Sequence, residues 1–295
     1  MAEATEASAR RGRAAHRRKW RSGRLLISGA IIFFFAAIAI LAPLLAQYDP
    51  FRVFSGQVLK GPSAAHWLGT DGLGRSTASR LVYGARASLQ VAFFAVVIAA
   101  LGGTSLGIIS AYYGGLVDMI IMRAMDLILC LPMMILVIAV VAFMGNSITN
   151  LILVIGVLYI PGTARILYTT ALSIRQTQYV QAAQAVGATV PRIMLRHIFP
   201  NAIAPLFVHI TLSLGFVILT ETGLSFLGLG PPPPTATWGR MIAEGRSYVH
   251  RQPLPLILSM TAVSIVILAL NVLGDALRDI LDPRLRGSAT IKTGL

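Results

Sequence analysis

Long apolar runs alternate with short polar segments along the chain, and the runs are long enough to cross a bilayer. A stretch of about 18 or more apolar residues is typical of a membrane-spanning helix. Such runs lie at Leu25–Asp49, Ala87–Val117, Leu127–Ala164, Ala202–Thr220 and Gln252–Gly274. As one helix, the third run would extend about 57 Å, nearly twice the hydrocarbon core, so Gly145-Asn146-Ser147 is predicted to divide it. The pattern predicts six transmembrane helices.

The residues that flank the apolar runs set the expected ends of the helices. Helix 2 is expected to end in the AYYGG motif at Ala111–Gly115, helix 4 near Arg165, helix 5 to cover about Ile203–Phe226 and helix 6 about Leu254–Gly274. The expected organisation is a basic tail at residues 1–24, a six-helix domain at 25–276 and a second tail at 277–295. Its main connections are outer loops at 47–86 and 228–252 and an inner segment at 171–202. The predicted fold class is an all-α integral membrane protein.

Charge sets the expected orientation of these helices. Only 12% of the residues are charged, but eight of the 25 lysines and arginines precede Leu25, which predicts a cytoplasmic N-terminus. Six crossings then place both termini in the cytoplasm. The net charge of +14 becomes a topology signal, and nucleic-acid binding is disfavoured because no soluble domain carries a basic face. The first apolar run is longer than a signal-peptide h-region, so we interpret Leu25–Ala46 as a retained helix.

One short motif suggests a hydrolase. Gly103-Thr104-Ser105-Leu106-Gly107 matches the G-x-S-x-G pattern, although small residues inside an apolar helix commonly serve helix packing. Only His209 lies at a depth suited to a general base, so an intramembrane enzyme acting through Ser105 is kept as an alternative. Cys130 is the single cysteine, which excludes disulfides and cysteine metal sites. We assign no catalytic residue, cofactor or metal to the chain.

The source of energy is a separate question. The sequence contains no G-x-x-x-x-G-K-[ST] phosphate loop. Asp126 and Glu221 are the ionisable candidates at membrane depth, which is thin evidence for a stand-alone ion-coupled carrier, the second alternative. Glu221 could line a path or gate or make a structural hydrogen bond, and Asp126 is interpreted as an interfacial charge near Arg123. If the protein moves a solute, we expect another chain to supply the energy.

The polar segment Gln178–Leu206 is longer than a connection between two spans requires. A narrow face of small and apolar residues recurs at helical spacing, comprising Tyr179, Ala182, Ala183, Val186 and Gly187. Gly187 is predicted to end this first helix in a left-handed conformation. Such a face would let another surface approach closely.

A second helix is predicted to begin at Pro191, which suits a first helical turn. It carries an apolar stripe of Val190, Ile193, Met194 and Ile198, with Arg192 and Arg196 lying elsewhere. Phe199-Pro200 is predicted to end it. A helix in the lipid headgroups and a docking surface for a partner protein are equally compatible with this pattern.

Three short motifs follow one another along the inner segment. Gln181-Ala182-Ala183 is followed after three residues by Gly187, and Ile198-Phe199-Pro200-Asn201 comes later in the segment. In this order and spacing they resemble the EAA loop of ABC-importer permeases, with Ile198–Asn201 standing where that loop ends. Gln181 stands where the family usually has Glu, and Phe199 where it often has Leu.

Further motifs extend the resemblance over nearly the whole chain, to dipeptide and oligopeptide permeases of the C-subunit type. They are His66–Asp71 (HWLGTD), Gly74-Arg75, Arg80–Arg86 (RLVYGAR), Tyr112–Gly115 (YYGG), Glu221–Gly230 (ETGLSFLGLG), Trp238-Gly239, Asn271–Asp275 (NVLGD) and Leu281–Arg284 (LDPR). Ser76 replaces an acidic residue often found in that family's outer loop. The resemblance implies a type I ABC-importer permease fold in the bacterial cytoplasmic (inner) membrane. It also implies alternating access for di- or oligopeptides or a related small solute.

The resemblance implies partners as well as a fold. They are a homologous B-type permease, two cytoplasmic ATPase subunits that bind ATP and Mg, an extracytoplasmic substrate-binding protein and the lipid bilayer, with no nucleic acid. The residues implied to couple to the ATPase are Gln181, Ala182, Ala183, Gly187, Arg192 and Pro200. The three small residues would pack closely against it, with Gln181 and Arg192 as polar contacts at the rim. A Gln for Glu exchange at an exposed rim would change the free energy of that contact by at most about 1 kcal/mol.

Overall fold

The computed structural model describes residues 23–281, which are almost entirely helical. The helices are α1 Gly23–Ile40, α2 Ala42–Leu45, α3 Thr77–Tyr113, α4 Gly115–Leu129, α5 Met133–Met144, α6 Ile148–Arg175, α7 Gln178–Ala185, α8 Val190–Ile193, α9 Phe199–Phe226, α10 Trp238–Arg246 and α11 Leu254–Leu281. A π-helical segment at Met194–Ile198 joins α8 to α9. The predicted tails at 1–24 and 277–295 lie largely outside the described residues.

Five of the described stretches are long and apolar enough to cross a membrane: α1, α3, α6, α11 and the continuous helix at Val190–Phe226. The helices α4 and α5 meet at an angle of 88° and add a sixth span when the bent pair is counted as one. The predicted all-α membrane fold is thereby confirmed, with five or six candidate spans.

The break between α4 and α5 corrects the expected course of helix 3. We predicted an unbroken helix running from Leu127, but α4 ends at Leu129 and α5 starts at Met133. Pro132 has an extended ψ of 114°, and the proline ring disfavours a helical conformation at Leu131 before it. The predicted turn after this helix is confirmed, since Gly145 adopts a φ of +88° and Ser147 caps α6.

Two helices are longer than the apolar runs that predicted them. The structure continues α6 to Arg175 rather than Arg165, and α11 to Leu281 rather than Gly274. An apolar run marks only the part of a helix inside the bilayer, whereas the backbone continues until a residue breaks it.

The core of the bundle is the contact between α3 and α6. A Cβ atom on Gly103 would lie 2.5 Å from the Cβ of Thr163, and one on Gly107 would lie 2.5 Å from the carbonyl oxygen of Ala164. Only glycine lets the two backbones approach this closely. Trp238 of α10 is fully buried in the hydrophobic core that α3 and α6 share, and it donates its indole N–H to the Leu81 carbonyl at 3.1 Å.

Candidate functional site

The inner segment between α6 and α9 folds as two short helices joined by a glycine turn. Gly187 has a φ of +77°, as predicted, and donates to the Gln184 carbonyl at 3.0 Å. The amide of Ala188 reaches the Ala183 carbonyl at 3.0 Å, which completes a Schellman motif. Because no atom lies within 4 Å of a Cβ built on Gly187, this glycine is required by backbone conformation rather than by packing within the chain.

The second helix does not end at Phe199-Pro200, contrary to the prediction. It runs through the π-helical segment Met194–Ile198 directly into α9. Phe199 donates its amide to Met194, five residues back, so the turn before Pro200 is wider than an α-helical turn. This wider turn accommodates a proline that has no amide proton to donate. The second helix of the inner segment and α9 are therefore one continuous helix.

The inward face of the segment packs on the bundle. Val180, Ile193 and Ile198 are at most 1% exposed and form a cluster with Ile108 of α3 and Ala171 of α6. The apolar stripe predicted on the second helix therefore packs against other helices of the same chain. A helix floating in the lipid headgroups would need that stripe for the lipid.

The outward face of the segment is apolar and uncovered in this chain. Tyr179, Val186 and Leu195 are 46%, 83% and 68% exposed. Gln181 and Ala182 are exposed beside them, and Ala183 is half-buried. We call Tyr179, Ala182, Val186 and Leu195 the coupling face. An uncovered apolar patch rimmed by polar residues is typical of a protein interaction site.

The predicted coupling residues lie in three places along the inner segment. Gln181, Ala182, Ala183 and Gly187 lie together on α7 and its turn, and Arg192 is exposed on α8. Pro200 lies apart from them at the start of α9.

Gln181 makes a contact that the sequence did not suggest. Its side-chain amide donates to the carbonyl of Gln176 at 3.3 Å, which ties α7 to the end of α6. A glutamate at this position has no proton to donate. The exchange therefore keeps an acceptor, as expected, and also adds a donor.

We expect Gln181→Glu to lower the stability of α7 slightly, by less than about 1 kcal/mol, because the lost hydrogen bond is exposed to solvent. Hydrogen exchange of the α7 amides in the assembled complex measures this effect. A Gln184→Glu variant, which makes the same exchange at another exposed position of α7, is the matched control. Equal exchange in both variants would show that the contact with Gln176 contributes nothing.

The base of the inner segment is held to α3 by polar contacts. Arg175 donates to the Ala111 carbonyl at 3.0 Å and its guanidinium lies 5.6 Å from the centre of the Tyr112 ring. Asp118 of α4 accepts from Ser110 at 2.6 Å and from Tyr168 at 3.0 Å. Arg175 therefore anchors the base of the segment to α3, and Asp118 joins α3, α4 and α6 beside it.

At the other end of the bundle a buried charge cluster holds the outer loop. One nitrogen of Arg80, Nη1, contacts both Asp71 and Glu244, the latter at 2.7 Å. Arg75 bridges the same two carboxylates at 2.7 and 2.8 Å, and Arg240 reaches Glu244 at 3.0 Å. We call these five residues the outer charge cluster. It joins the loop before α3 to α10. The only hint of it in the sequence is the charges in the HWLGTD and RLVYGAR motifs.

The carboxylates of the outer charge cluster are held ionised. Burial alone would raise the pKa of Asp71, but the charges of Arg80 and Arg75 and the Arg75 amide outweigh it, so the pKa lies below its usual value. The pKa of Glu244 is likewise lowered, because its contacts with Arg80 outweigh burial. Lowered carboxylate pKa values mean that the cluster stabilises the fold at neutral pH and loses this contribution as acid protonates the carboxylates.

The two carboxylates considered at membrane depth have different surroundings. Glu221 is fully buried in α9 and accepts from Ser225 at 2.7 Å. Asp126, which was interpreted as an interfacial charge near Arg123, pairs with Arg165 of α6, and both members of the pair are partly exposed. A role for Glu221 in a path or gate stays a prediction.

The amino-acid sequence of this chain matches a known protein family. Residues 103–287 match the family described as binding-protein-dependent transport system inner membrane component. The chain belongs to this family. It is a membrane-embedded permease subunit of a bacterial ABC importer, in which separate ATPase subunits hydrolyse ATP.

Individual relatives cover nearly the whole permease. It is 41% identical to the dipeptide transport system permease protein DppC of Alkalihalophilus pseudofirmus, over 90% of this chain and 88% of that protein. It is 39% identical to the glutathione transport system permease protein GsiD of Pectobacterium atrosepticum, over 92% of this chain and 90% of that protein. The GsiD protein of Escherichia coli strain CFT073 is 38% identical over the same shares of both chains.

The hydrolase alternative fails for this permease. Ser105 is exposed and donates to the Leu101 carbonyl of its own helix at 2.8 Å, while Gly103 and Gly107 serve the contact with α6. His209 lies 3.1 Å from the hydroxyl of Thr163 and makes no hydrogen bond with Ser105. Among residues 23–281 no group of three or more His, Cys, Asp or Glu could hold a metal ion.

Proposed function

We propose that this permease imports peptides, with di- and tripeptide-sized solutes as its cargo class. The proposal is supported by the relatives, which are named for dipeptide and glutathione transport. Glutathione is itself a tripeptide, so both names describe small peptides with free carboxylates. Cargo is delivered by a substrate-binding protein outside the membrane.

The assembly that we propose contains four further chains. A homologous B-type permease completes the membrane part, two cytoplasmic ATPase subunits bind ATP and Mg, and an extracytoplasmic binding protein supplies the cargo. The family implies partners of these kinds. Their number and the pairing with a B-type permease are our inference.

The observation that carries the coupling proposal is the two-sided inner segment. Its inward side is fixed by Val180, Ile193 and Ile198, and its outward side leaves Val186 83% exposed. We assign the outward side to a groove of the ATPase, with Ala182 and Ala183 setting the closeness of approach. Gly187 shapes the turn, Gln181 and Arg192 lie at the rim, and Pro200 joins the segment to α9.

Alternating access follows from the connection between the segment and the bundle. Because the helix is continuous from Val190 to Phe226, a push on Leu195 of the coupling face moves α9 directly. The contacts of Arg175 and Asp118 pass the same displacement to α3, α4 and α6. ATP-driven closure of the ATPase subunits would then rock the two permeases between inward and outward access.

Site-specific cross-linking tests the docking. In a Cys130→Ser background, which removes the exposed native cysteine, we expect Val186→Cys to cross-link to an ATPase subunit within the intact complex. The control is Phe143→Cys at the outer end of α5, because Phe143 is 92% exposed but lies far from the coupling face. Cross-links to lipid or to the partner permease alone would contradict the docking.

A further inference from the structure

A cavity of about 800 Å³ lies between α6, α9 and α11, directly behind the inner segment. Its walls include the last turns of α6, the first turns of α9 and the end of α11. The α9 wall begins at Asn201, three residues after the π-helical segment, and reaches His209. We call this space the inner cavity. Its volume falls in the range of about 300–1,000 Å³ that is usual for small-molecule sites.

The charge in the inner cavity is positive. Arg278 lies on its α11 side and makes no hydrogen bond or ion pair with another residue of the described part. None of its lining residues within 23–281 is a carboxylate. The remaining walls are mostly apolar, with hydroxyl side chains from α6. A guanidinium without a carboxylate partner favours an anionic ligand.

His209 supplies a second donor. Two hydroxyls converge on its Nε2 atom, that of Thr163 at 3.1 Å and that of Ser213 at 3.4 Å. The Thr163 hydroxyl can also donate to the Tyr159 carbonyl at 3.4 Å. When both hydroxyls donate to Nε2 instead, the ring proton is on Nδ1. Within residues 23–281, Nδ1 has no hydrogen-bond partner, and the ring lines the cavity. In that tautomer the membrane end of the cavity offers an unused N–H.

We propose that the inner cavity binds small carboxylate-bearing solutes, with Arg278 and the Nδ1–H of His209 as donors. The choice of peptides as one such solute rests on the proposed function, whereas the carboxylate chemistry does not. Peptides that leave the translocation path and other carboxylates of the cytoplasm all carry the carboxylate group that these donors would bind. The α9 wall of the cavity begins within one turn of the segment that we assign to the ATPase.

Equilibrium binding to the assembled importer in lipid nanodiscs tests this site. The probe is radiolabelled alanyl-alanine, added without the binding protein so that only sites on the membrane complex are measured. We expect saturable binding that succinate competes for and that alanyl-alanine amide, which lacks the carboxylate, does not. Competition by the amide as strong as by the free peptide would overturn the carboxylate assignment.

Matched variants identify the donors. Arg278→Gln and His209→Gln are each expected to weaken binding about tenfold, the cost of one charge-assisted or desolvated hydrogen bond. His209→Asn is expected to retain binding, because its amide nitrogen stands near the position of Nδ1, whereas the longer Gln places its amide near Nε2. Arg278 is exposed, so its variant tests the site even where changes at His209 disturb the packing. Binding unchanged in both Gln variants would overturn the site.

Two outcomes distinguish the source of the ligand. Binding of alanyl-alanine much tighter than succinate indicates cargo, and equal binding indicates cytoplasmic carboxylates in general. ATP hydrolysis stimulated by peptide-loaded binding protein reports the proposed function independently. Loss of this stimulation while alanyl-alanine still binds would refute peptide import but not the inner cavity as a binding site. Stimulation without alanyl-alanine binding would refute the site alone.

Discussion

Val186→Asp is expected to abolish transport while leaving the permease folded. Val186 is 83% exposed in the free chain and makes no contribution to the core, so the charge costs little before assembly. In the assembled importer it would place an unpaired carboxylate in an apolar contact. Losing the burial of a valine costs about 1.5–3 kcal/mol, and the desolvated charge adds to it. An affinity loss of at least about tenfold is expected for the ATPase.

The measurement is the amount of ATPase subunit that copurifies with the permease, together with peptide-stimulated ATP hydrolysis. Gln184→Asp is the matched control, because it adds the same charge to an exposed position on the opposite side of α7. Both variants should assemble equally with the partner permease. Equal ATPase binding in the two variants would remove the coupling face from the docking surface.

Arg80→Ala is expected to cause the largest loss of stability. Arg80 is 1% exposed, and one of its nitrogens holds both Asp71 and Glu244. Removing one partner of a buried ion pair costs about 3–5 kcal/mol, and here Asp71 and Glu244 would be left to share Arg75. We expect the outer loop to detach from α10 and the yield of assembled permease to fall sharply.

Thermal unfolding of the detergent-solubilised complex measures this loss. Arg240→Ala is the control, since Arg240 contacts the same Glu244 but is about one-quarter exposed, and we expect a change of about 1 kcal/mol or less. Arg80→Lys should recover only part of the stability, because a single ammonium lacks the planar fork of a guanidinium. Similar melting temperatures for Arg80→Ala and Arg240→Ala would show that the buried contacts of Arg80 do not stabilise the fold.

Features that depend on local residue order were predictable. The length of the apolar runs indicated six spans, and the turn at Gly145-Asn146-Ser147 was placed correctly. Gly187 was expected to be left-handed and has a φ of +77°. These predictions succeed because bilayer thickness and backbone sterics act on neighbouring residues, whatever the rest of the chain does.

Other features could not be read from neighbouring residues. Pro132 breaks a helix, while Pro200 is accommodated by a π turn inside one. The difference lies in what packs against each position. Ile198, beside Pro200, is held in a buried cluster that keeps the helix continuous.

The sequence by itself determined the number of spans, the turn glycines and, through its motifs, the resemblance to ABC-importer permeases. Only the tertiary structure decided which face of the inner segment is free, which charges form the outer charge cluster and where the inner cavity lies. Asp71 and Glu244 are far apart in the chain but meet at Arg80, and His209 meets Thr163 across two helices. Such contacts depend on how helices cross and pack, and a one-dimensional pattern of polar and apolar residues does not specify that geometry.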